Sequence, residues 1–423
     1  MSDSPILSLN TWVEVPKNSD FTIYNLPFGI FKSKKLSPRI GVAIGDKIVD
    51  LSVLDQEGLF SNLFLPEGIF LKESLNELIA LGKVQTKKIR ERVQTLLLAD
   101  NEELRDHSAR GKVMVNRKEA EMLLPVKIGD YTDFYSSIEH ATNVGKMFRD
   151  PENALLPNWK HLPVGYHGRA SSIVVSGTPI HRPKGQFKDP DMALPEFGPS
   201  RRLDFELEVA FIVGKPTKLG DTLSTEEAED YIFGFVLFND WSARDIQNWE
   251  YVPLGPFLGK NFGSSISPWV VMLEAMEPFR IEGPKQDPEV LPYLQCRKNH
   301  NFDLQLEVFI QPEGKKPSKV CTSNFSYMYW NIAQQLAHHT INGCNVNVGD
   351  MMASGTISGP TEDSFGSMLE LSWKGTRGVK LEDGAERRFI QDGDTVIMKG
   401  FAEKDGIRVG FGEVSGLILP AKV

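Results

Sequence analysis

The stretch Leu203-Asp-Phe-Glu-Leu-Glu-Val-Ala-Phe-Ile-Val213 alternates acidic with apolar residues and then becomes wholly apolar. The alternation predicts a β-strand in which Glu206 and Glu208, two residues apart, point to the same face. Acidic alternation is also common on the solvent face of an edge strand. Because the stretch continues into an apolar run, a central strand is favoured here. Buried carboxylates then need a partner or a cation, which favours a metal site.

Two further acids stand in a similar setting. Asp133 lies in Asp130-Tyr-Thr-Asp-Phe-Tyr135, and Asp240 ends the run Phe235-Val-Leu-Phe-Asn-Asp240. Each carboxylate borders apolar or aromatic residues, where a charge is costly unless it is paired or bound to a cation. An all-oxygen ligand set favours a hard cation, Mg²⁺ or Ca²⁺, over zinc or copper. The four acids therefore indicate a metal-assisted enzyme.

A general base is predicted close to the first of these acids. His140 shares the segment 129–149 with Tyr135 and Arg149, and an imidazole titrates near neutral pH. A surface turn followed by a helix, with His140 structural, is the alternative. The clustering of reactive residue types favours function. Glu370 is predicted in an apolar strand, where it would need a partner such as His140.

Polar groups that could bind an anion follow Asp240. If residues 241–251 are helical, Arg244, Gln247 and Tyr251 share one face, and Lys260 follows after a glycine. Such a set could bind a dianion or a developing oxyanion. An ordinary amphipathic helix with a solvated polar face is the alternative. Thr356, with glycines on both sides nearby, offers a hydroxyl to a ligand, although a simple turn would have the same sequence.

Composition excludes several classes of protein. The 423 residues carry a net charge of −9, which argues against nucleic acid or an anionic membrane as main partner. Three cysteines without C-x-x-C spacing form neither a disulfide framework nor a zinc site, and they suit a reducing compartment. The segment Met1 to Leu7 does not resemble a signal peptide, and no apolar run approaches a membrane span. We expect a cytoplasmic protein.

Two domains are expected within a mainly β chain with some α. Residues 1–118 would form a small β domain whose strands include 39–44 and 47–51, with a helical connector over 74–106. Residues 119–423 would form a larger β-rich catalytic domain. Its helices are predicted after the capping box Ser224-Thr-Glu-Glu227 and over 324–340. His161, His167, His338, His339 and Cys344 are interpreted as structural.

Seven stretches between residues 129 and 412, together with the length of the N-terminal part, resemble the fumarylacetoacetate hydrolase family. They are Gly129-Asp-Tyr-Thr-Asp-Phe-Tyr-Ser-Ser137, His140-Ala-Thr-Asn-Val-Gly145, Pro163-Val-Gly-Tyr-His-Gly-Arg-Ala-Ser-Ser172, Leu203-Asp-Phe-Glu-Leu-Glu208, Phe238-Asn-Asp-Trp-Ser-Ala-Arg-Asp-Ile-Gln247, Ala353-Ser-Gly-Thr-Ile-Ser-Gly-Pro360 and Val409-Gly-Phe-Gly412. The resemblance implies an N-terminal SH3-like β-barrel, a C-terminal mixed β-sandwich roll and a homodimer. It also implies hydrolysis of the carbon–carbon bond of 4-fumarylacetoacetate to fumarate and acetoacetate, the last step of tyrosine and phenylalanine catabolism.

The resemblance also implies a role for each candidate residue. The Ca²⁺ or Mg²⁺ site would be Asp133, Glu206, Glu208 and Asp240. His140 would be the base, oriented by Glu370, with Arg244, Gln247 and Lys260 around the oxyanion. The substrate would contact Tyr135, Arg149, Tyr166, Gln247, Tyr251 and Thr356. A second, structural Mg²⁺ would lie near Asp240, the backbone carbonyl of Lys260, and Ser264, which replaces the threonine of many relatives.

Two other functions are compatible with the acidic residues. An acylpyruvase or an oxaloacetate decarboxylase of the same superfamily would use the carboxylates without needing the water-activating pair His140 and Glu370. A catalytically silent, metal-stabilised binding protein would need neither His140 nor Glu370. Retention of the base, its acid and all four carboxylates favours the hydrolase.

Overall fold

The computed structural model describes residues 9–422 and is mainly β with interspersed helices, as predicted. The segment Met1 to Leu7, on which the signal-peptide expectation rests, lies outside the described residues. Within 9–422, no helix is both long and apolar enough to cross a membrane.

The first part of the chain forms an antiparallel sheet in the order β4-β3-β2-β1-β5. Its strands are β1 (Phe28–Ser33), β2 (Leu36–Ile44), β3 (Lys47–Asp50), β4 (Met114–Asn116) and β5 (Glu121–Leu123), and its helices are α1 (Leu51–Gln56), α2 (Asn76–Ile79), α3 (Lys83–Leu97), α4 (Glu102–Arg105) and α5 (Arg110–Val113). The predicted connector is thus three helices, α2 to α4. Strand β5 lies beyond residue 118 and still pairs with β1.

The rest of the chain is built mostly of short strands. The strands are β6 (Tyr131–Phe134), β7 (Gly165–His167), β8 (Ile173–Val175), β9 (Ile180–His181), β10 (Lys184–Phe187), β11 (Glu196–Pro199), β12 (Leu203–Asp204), β13 (Leu207–Val213), β14 (Ile232–Asp240), β15 (Ser242–Ala243), β16 (Ser264–Ile266), β17 (Val271–Met272), β18 (Arg280–Ile281), β19 (Asn301–Phe302), β20 (Gln305–Gln311), β21 (Ser318–Asn324), β22 (Met351–Ala353), β23 (Val379–Lys380), β24 (Glu386–Arg387), β25 (Thr395–Lys404) and β26 (Ile407–Leu419). The helices are α6 (Ile138–Phe148), α7 (Arg244–Glu250), α8 (Leu273–Met276), α9 (Ile332–Thr340) and α10 (Met368–Leu371). Short 3-10 helices occupy 61–63, 69–71, 117–119, 151–153, 170–172, 228–231, 277–279, 292–294, 325–327 and 362–364.

Strand β13 lies inside an eight-stranded sheet ordered β7-β6-β22-β13-β14-β16-β8, with β17 also paired to β14. The predicted central position of this strand is confirmed. A second, five-stranded sheet is ordered β21-β20-β25-β26-β9. Leu207, Val209 and Phe211 of β13 join the main core, which also includes Val308 of β20 and Met398 of β25.

The other face of the eight-stranded sheet has two chemically distinct ends. Ala210 and Ile212 of β13 belong to the apolar cluster that contains Phe28 of the N-terminal sheet. Because side chains alternate along a strand, Glu208 lies on this same face, one position before Ala210. On β14, Phe238 belongs to the same apolar cluster, and Asp240 lies two residues further along, so it is on this face too. The apolar end therefore packs against the first part of the chain, and the acidic end lies beside that contact.

Three of the predicted elements are wrong in detail. The helix expected over 324–340 begins at Ile332, since Asn324 ends β21 and Asn331 forms a capping box with Gln334. The Ser224 capping box is present, but it is followed only by a 3-10 helix, 228–231. Glu370 lies in the short helix α10 rather than in a strand, because Ser367 caps that helix by accepting a hydrogen bond from the Glu370 backbone amide.

Candidate active site

Four carboxylates converge at the acidic end of the sheet. Asp133 comes from β6, Glu206 from the residue before β13, Glu208 from β13 and Asp240 from the end of β14. One oxygen of each lies within 4.8 Å of the others. None of the four residues is more than 5% exposed. The four residues that the sequence singled out are therefore brought together.

Two of these acids lack enough partners of their own. Within residues 9–422, Oδ1 of Asp133 and Oε1 of Glu208 are buried without a hydrogen-bond donor. Burial and the neighbouring carboxylates raise the pKa of both groups well above their ordinary values. Lys260 only partly offsets these effects, and a bound cation would oppose them further by placing positive charge at oxygens that no donor reaches. The donor set thus fits a hard divalent cation.

Two cationic side chains enter the same cluster. The Lys260 ammonium contacts Glu206 and lies 2.7 Å from Oδ2 of Asp240. Arg244 donates from Nε to Asp204 at 2.8 Å, and its NH2 lies 2.8 Å from Oε1 of Glu206. Burial opposes both charges, but these carboxylates raise the pKa of Lys260 and of Arg244 above their ordinary values. Four acids facing two cations leave excess negative charge.

The Asp240 carboxylate also accepts hydrogen bonds from two residues that were predicted to contact a metal or a substrate. Ser264 Oγ donates to Oδ1 of Asp240 at 3.0 Å, and the Tyr166 hydroxyl donates to Oδ2 at 2.9 Å. Gln247 accepts a hydrogen bond from NH1 of Arg244 at 3.2 Å, as expected for residues three apart on helix α7. These contacts place Tyr166, Ser264 and Gln247 around the acidic cluster.

His140 and Glu370 form a buried pair next to the carboxylates. Nδ1 of His140 lies 2.7 Å from Oε2 of Glu370, and both side chains are almost fully buried. Burial would raise the pKa of Glu206, but Lys260, Arg244 and, to a smaller extent, His140 lower it to about 2. Burial alone would raise the pKa of Glu370, but His140 and the hydrogen bonds around the carboxylate lower it below its ordinary value. Glu370 is therefore held as an anion facing the ring.

Three residues that sequence reasoning missed fix the Glu370 carboxylate. Asn143 donates to Oε1 at 2.9 Å, while the Ser358 and Ser367 hydroxyls each donate to Oε2 at 2.8 Å. Asn143 could have been found, because it lies three residues after His140 and shares its face of α6. Ser367 could also have been found, because Ser367-Met-Leu-Glu370 has the S-x-x-E pattern of a helix N-terminus, whereas no local signal indicates Ser358.

Asp204 was also missed. It is fully buried and accepts hydrogen bonds from the backbone amides of Met368 at 2.7 Å and Leu369 at 2.9 Å, besides Arg244. It therefore joins helix α10, which carries Glu370, to the arginine beside the acidic cluster. The alternation of Asp204 with Glu206 and Glu208 in sequence was the available signal.

Thr356 lies on a tight loop against the cluster. Its hydroxyl is buried and, within the described residues, has no hydrogen-bond partner. The preceding Gly355 has φ +76°, and a Cβ there would lie 2.2 Å from the Phe134 carbonyl oxygen. The Gly355 amide donates to Glu208 at 3.2 Å. The glycine thus permits a close backbone approach that leaves the Thr356 hydroxyl available to a ligand.

The remaining residues that were predicted to contact the substrate lie around the edge of the site. Tyr135 packs edge-on against the His140 ring with 5.2 Å between centroids. Arg149 is exposed and donates from Nε and NH2 to the Ala154 carbonyl at 3.1 and 2.7 Å. Tyr251 follows α7 and is 50% exposed. The structure brings Tyr135 to the base, whereas Arg149 and Tyr251 lie at the surface and their contact with substrate stays a prediction.

Comparison with known proteins places these features in a family. Residues 130–414 match the model for the C-terminal part of fumarylacetoacetate hydrolase, and residues 24–125 match the fumarylacetoacetase N-terminal model. Fumarylacetoacetase from Dictyostelium discoideum is 57% identical, covering 98% of each chain. The Homo sapiens fumarylacetoacetase is 53% identical over 97% of this chain and 99% of its own.

A solved structure shares the fold. The fumarylacetoacetate hydrolase from Exiguobacterium antarcticum superposes with a TM-score of 0.52 at 18% identity, covering 94% of this chain and all of that one.

The fumarylacetoacetase relatives, at this identity and coverage, show that this β-rich protein is an enzyme of the hydrolase class. The chain belongs to the fumarylacetoacetate hydrolase family.

Proposed function

We propose that this hydrolase cleaves 4-fumarylacetoacetate with water to give fumarate and acetoacetate, the last step of tyrosine and phenylalanine breakdown. The observation that carries the proposal is the buried His140–Glu370 pair, 2.7 Å apart, beside four convergent carboxylates. The fumarylacetoacetase relatives, 48–57% identical over nearly the whole chain, support the same reaction.

The cation would be Ca²⁺ or Mg²⁺, held by Asp133, Glu206, Glu208 and Asp240. When bound, it would polarise the carbonyl oxygens of the diketone as a Lewis acid. The unpartnered oxygens of Asp133 and Glu208 support this assignment. A second, structural Mg²⁺ near Asp240, the Lys260 carbonyl and Ser264 is also part of the proposal, supported by the contact between Ser264 and Asp240.

His140 would take a proton from water at Nε2, because Nδ1 is engaged by Glu370. Glu370 would hold the ring and stabilise the imidazolium that forms. Arg244, Gln247 and Lys260 would face the developing oxyanion. Tyr135, Arg149, Tyr166, Gln247, Tyr251 and Thr356 would contact the substrate, and the unpartnered hydroxyl of Thr356 supports its place among them.

The proposal extends to architecture and assembly. The first part would be an SH3-like barrel of residues 1–118, and residues 119–423 a catalytic β-sandwich roll. A homodimer is supported by large apolar side chains exposed after helix α7, among them Val252, Leu254 and Phe257. A cytoplasmic location is also part of the proposal, and three free cysteines support it.

One assay tests the reaction. Purified protein is mixed with fumarylacetoacetate, and the loss of its ultraviolet absorbance is followed with Ca²⁺, with Mg²⁺ and after chelation. An acylpyruvate and oxaloacetate serve as comparison substrates. We expect rapid, chelator-sensitive loss of fumarylacetoacetate alone. Faster turnover of either comparison substrate would replace the proposed function with that of another superfamily member.

A further inference from the structure

A cavity of about 240 Å³ opens beside the acidic cluster at Asp240. Lys260 and Tyr166 also line it, whereas, among the described residues, neither His140 nor Glu370 does. The cluster can therefore be reached at Asp240 through a space that the proposed base and its acid do not border.

Tyr131 lies in the wall of this cavity with an unused hydroxyl. The residue is 4% exposed, and within residues 9–422 its hydroxyl is buried without a hydrogen-bond partner. Tyr131 shares a face of β6 with Asp133, two residues further on, and its ring centroid lies 5.1 Å from that of Phe238. A buried hydroxyl without a partner is costly, so a molecule in the cavity that accepts its hydrogen bond would be favoured.

The segment after β7 is packed directly onto the Tyr131 ring. The Gly168 amide donates to the Tyr131 carbonyl at 2.8 Å, and a Cβ on Gly168 would lie 2.1 Å from the ring. Ser172 Oγ donates to the Asn261 carbonyl at 2.8 Å, which ties this segment to the residue after Lys260. The wall around the hydroxyl is therefore held by short contacts on both sides.

The charges in the wall favour an anion. Two cations, Lys260 and Arg169, line the cavity, against one acid among the described residues, Asp240. Both Asp240 oxygens already accept hydrogen bonds, Oδ2 from Lys260 and Tyr166 and Oδ1 from Ser264. Arg169 is exposed, and within residues 9–422 no carboxylate pairs with its guanidinium, although its backbone carbonyl accepts a hydrogen bond. A guanidinium and a phenol hydroxyl are both good donors to a carboxylate.

We propose that this cavity binds one of the two terminal carboxylates of the substrate, through the Tyr131 hydroxyl and the Arg169 guanidinium. The inference rests on the proposed function, because 4-fumarylacetoacetate carries a carboxylate at each end of its diketone. When the diketone lies at the acidic cluster, its two ends leave the cluster in different directions. One end then enters the donor-rich cavity beside Asp240, and Tyr131 and Arg169 select substrates that carry a carboxylate there.

The two products represent the two ends of the substrate, so their binding tests the proposal without turnover. Fumarate and acetoacetate are titrated separately into the full-length protein in the presence of Ca²⁺, and each Kd is measured by ligand-observed NMR. We expect Tyr131→Phe and Arg169→Gln to raise the Kd of the same product by at least about fivefold, the effect of losing one hydrogen bond. The Kd of the other product should change by less than about twofold. Unchanged binding of both products, or an equal loss for both, would overturn the proposal.

Steady-state kinetics give a second readout. A contact with a carboxylate remote from the reacting bond is the same in the ground and transition states, so Tyr131→Phe should raise KM for fumarylacetoacetate and leave kcat nearly unchanged. A fall in kcat alone would show that Tyr131 supports the acidic cluster instead, against the proposal. Tyr231→Phe and Arg297→Gln, which do not line the cavity, are the matched controls and should change neither constant.

The two proposals can fail separately. Wild-type protein that binds one product through Tyr131 and Arg169 without hydrolysing fumarylacetoacetate would refute the proposed function and support the anion site. Hydrolysis by the wild type, with product binding unaltered in both variants, would refute the anion site alone.

Discussion

At the scale of single residues, the orientation of the His140 ring decides the proposed chemistry. Three donors besides His140 hold Glu370, so the carboxylate cannot turn away from Nδ1. The ring therefore presents Nε2 as the only nitrogen that can accept a proton from water. This is the role of an acid in a triad, which fixes tautomer and direction without being protonated itself.

Replacing the base should abolish turnover. His140→Asn keeps a donor for Glu370, so we expect a folded protein whose kcat falls by roughly two to four orders of magnitude. Steady-state kinetics with fumarylacetoacetate and circular dichroism check activity and fold. His338→Ala, in helix α9, is the matched histidine control and should retain kcat. Near-normal kcat in His140→Asn would remove this residue from the mechanism.

Neutralising the orienting acid should act mainly on kcat. In Glu370→Gln the imidazolium loses its counter-charge in the transition state, so kcat should fall by roughly 10²-fold or more while KM changes little. The two constants are obtained from the same substrate titration. An effect confined to KM would show that Glu370 shapes substrate binding instead.

At the scale of secondary-structure elements, two helices with serine N-caps, α6 and α10, bring His140 and Glu370 together. Ser137 caps α6 by accepting a hydrogen bond from the His140 amide, and Ser367 caps α10 in the same way through Glu370. Each reactive side chain is thus the third residue after a capping serine. Because the first turn of a helix is fixed by its cap, both side chains start from defined backbone positions.

A buried histidine just before strand β19 gives a pH dependence at this scale: Nδ1 of His300 lies 2.6 Å from Oε1 of Glu229. Burial would lower the pKa of His300, but interactions with Cys296 and Glu229 raise it to about 9. A pKa that is higher in the folded than in the unfolded chain stabilises the fold below the unfolded value, near 6.5, and that stabilisation is lost as pH rises through about 9. Arg280 donates to the same Glu229 oxygen at 2.7 Å, which keeps this carboxylate charged beside the ring.

We expect the folded chain to lose at most about 3 kcal/mol from this group between pH 6.5 and pH 9. Urea unfolding at several pH values measures the free energy of unfolding. The curve for His300→Gln should be flatter over this range, since the other titrating groups are common to both proteins. Parallel curves would show that His300 has the same pKa in both states.

The sequence predicted the acidic cluster better than it predicted the elements that support it. The alternation of acidic and apolar residues around Glu206 and Glu208 is a local property of a strand, and it is enough to predict that both side chains lie on the same face. The run Met368-Leu-Glu-Leu371 is too short to distinguish helix from strand by periodicity, so Glu370 was assigned to the wrong element. The partners of Asp204 are backbone amides more than 160 residues away, at Met368 and Leu369, and no local pattern could indicate them.

At the scale of the whole molecule, the two parts of the chain share one packing layer. Phe28 from the N-terminal sheet is fully buried and packs edge-on against Phe233 of β14, with ring centroids 6.4 Å apart. Asn25 donates to the Gly410 carbonyl at 2.7 Å, which adds a polar contact between the parts. We therefore expect them to unfold together.

Phe28→Ala should lower the free energy of unfolding by about 3–5 kcal/mol, the usual cost of emptying a buried phenylalanine site. Phe64→Ala is the matched control, because Phe64 is 93% exposed, and it should change stability by less than about 0.5 kcal/mol. Denaturant unfolding followed by fluorescence and by circular dichroism measures both. Two separate transitions would show that the parts are independent.

The free energy of unfolding of the whole chain should also depend on the concentration of free cation. The four carboxylates converge only when β6, β13 and β14 are in place, so a cation held by them would bind the folded chain and not the unfolded one. By mass action, free cation at a hundred times its Kd adds about 2.7 kcal/mol to the free energy of unfolding. We expect Tm to fall on chelation and to recover with Ca²⁺ or Mg²⁺, as measured by calorimetry. An unchanged Tm would exclude a native-state cation at this site.

The acidic end and the apolar end belong to the same strands. The stabilisation that a bound cation gives should therefore extend to the N-terminal sheet, which packs against the apolar end. Hydrogen exchange at β1 should therefore slow as free cation rises, although none of the four carboxylates lies on that strand. On the proposed metal dependence, the N-terminal part would report the availability of divalent ions, and a cell poor in them would hold a chain that is both inactive and more readily degraded.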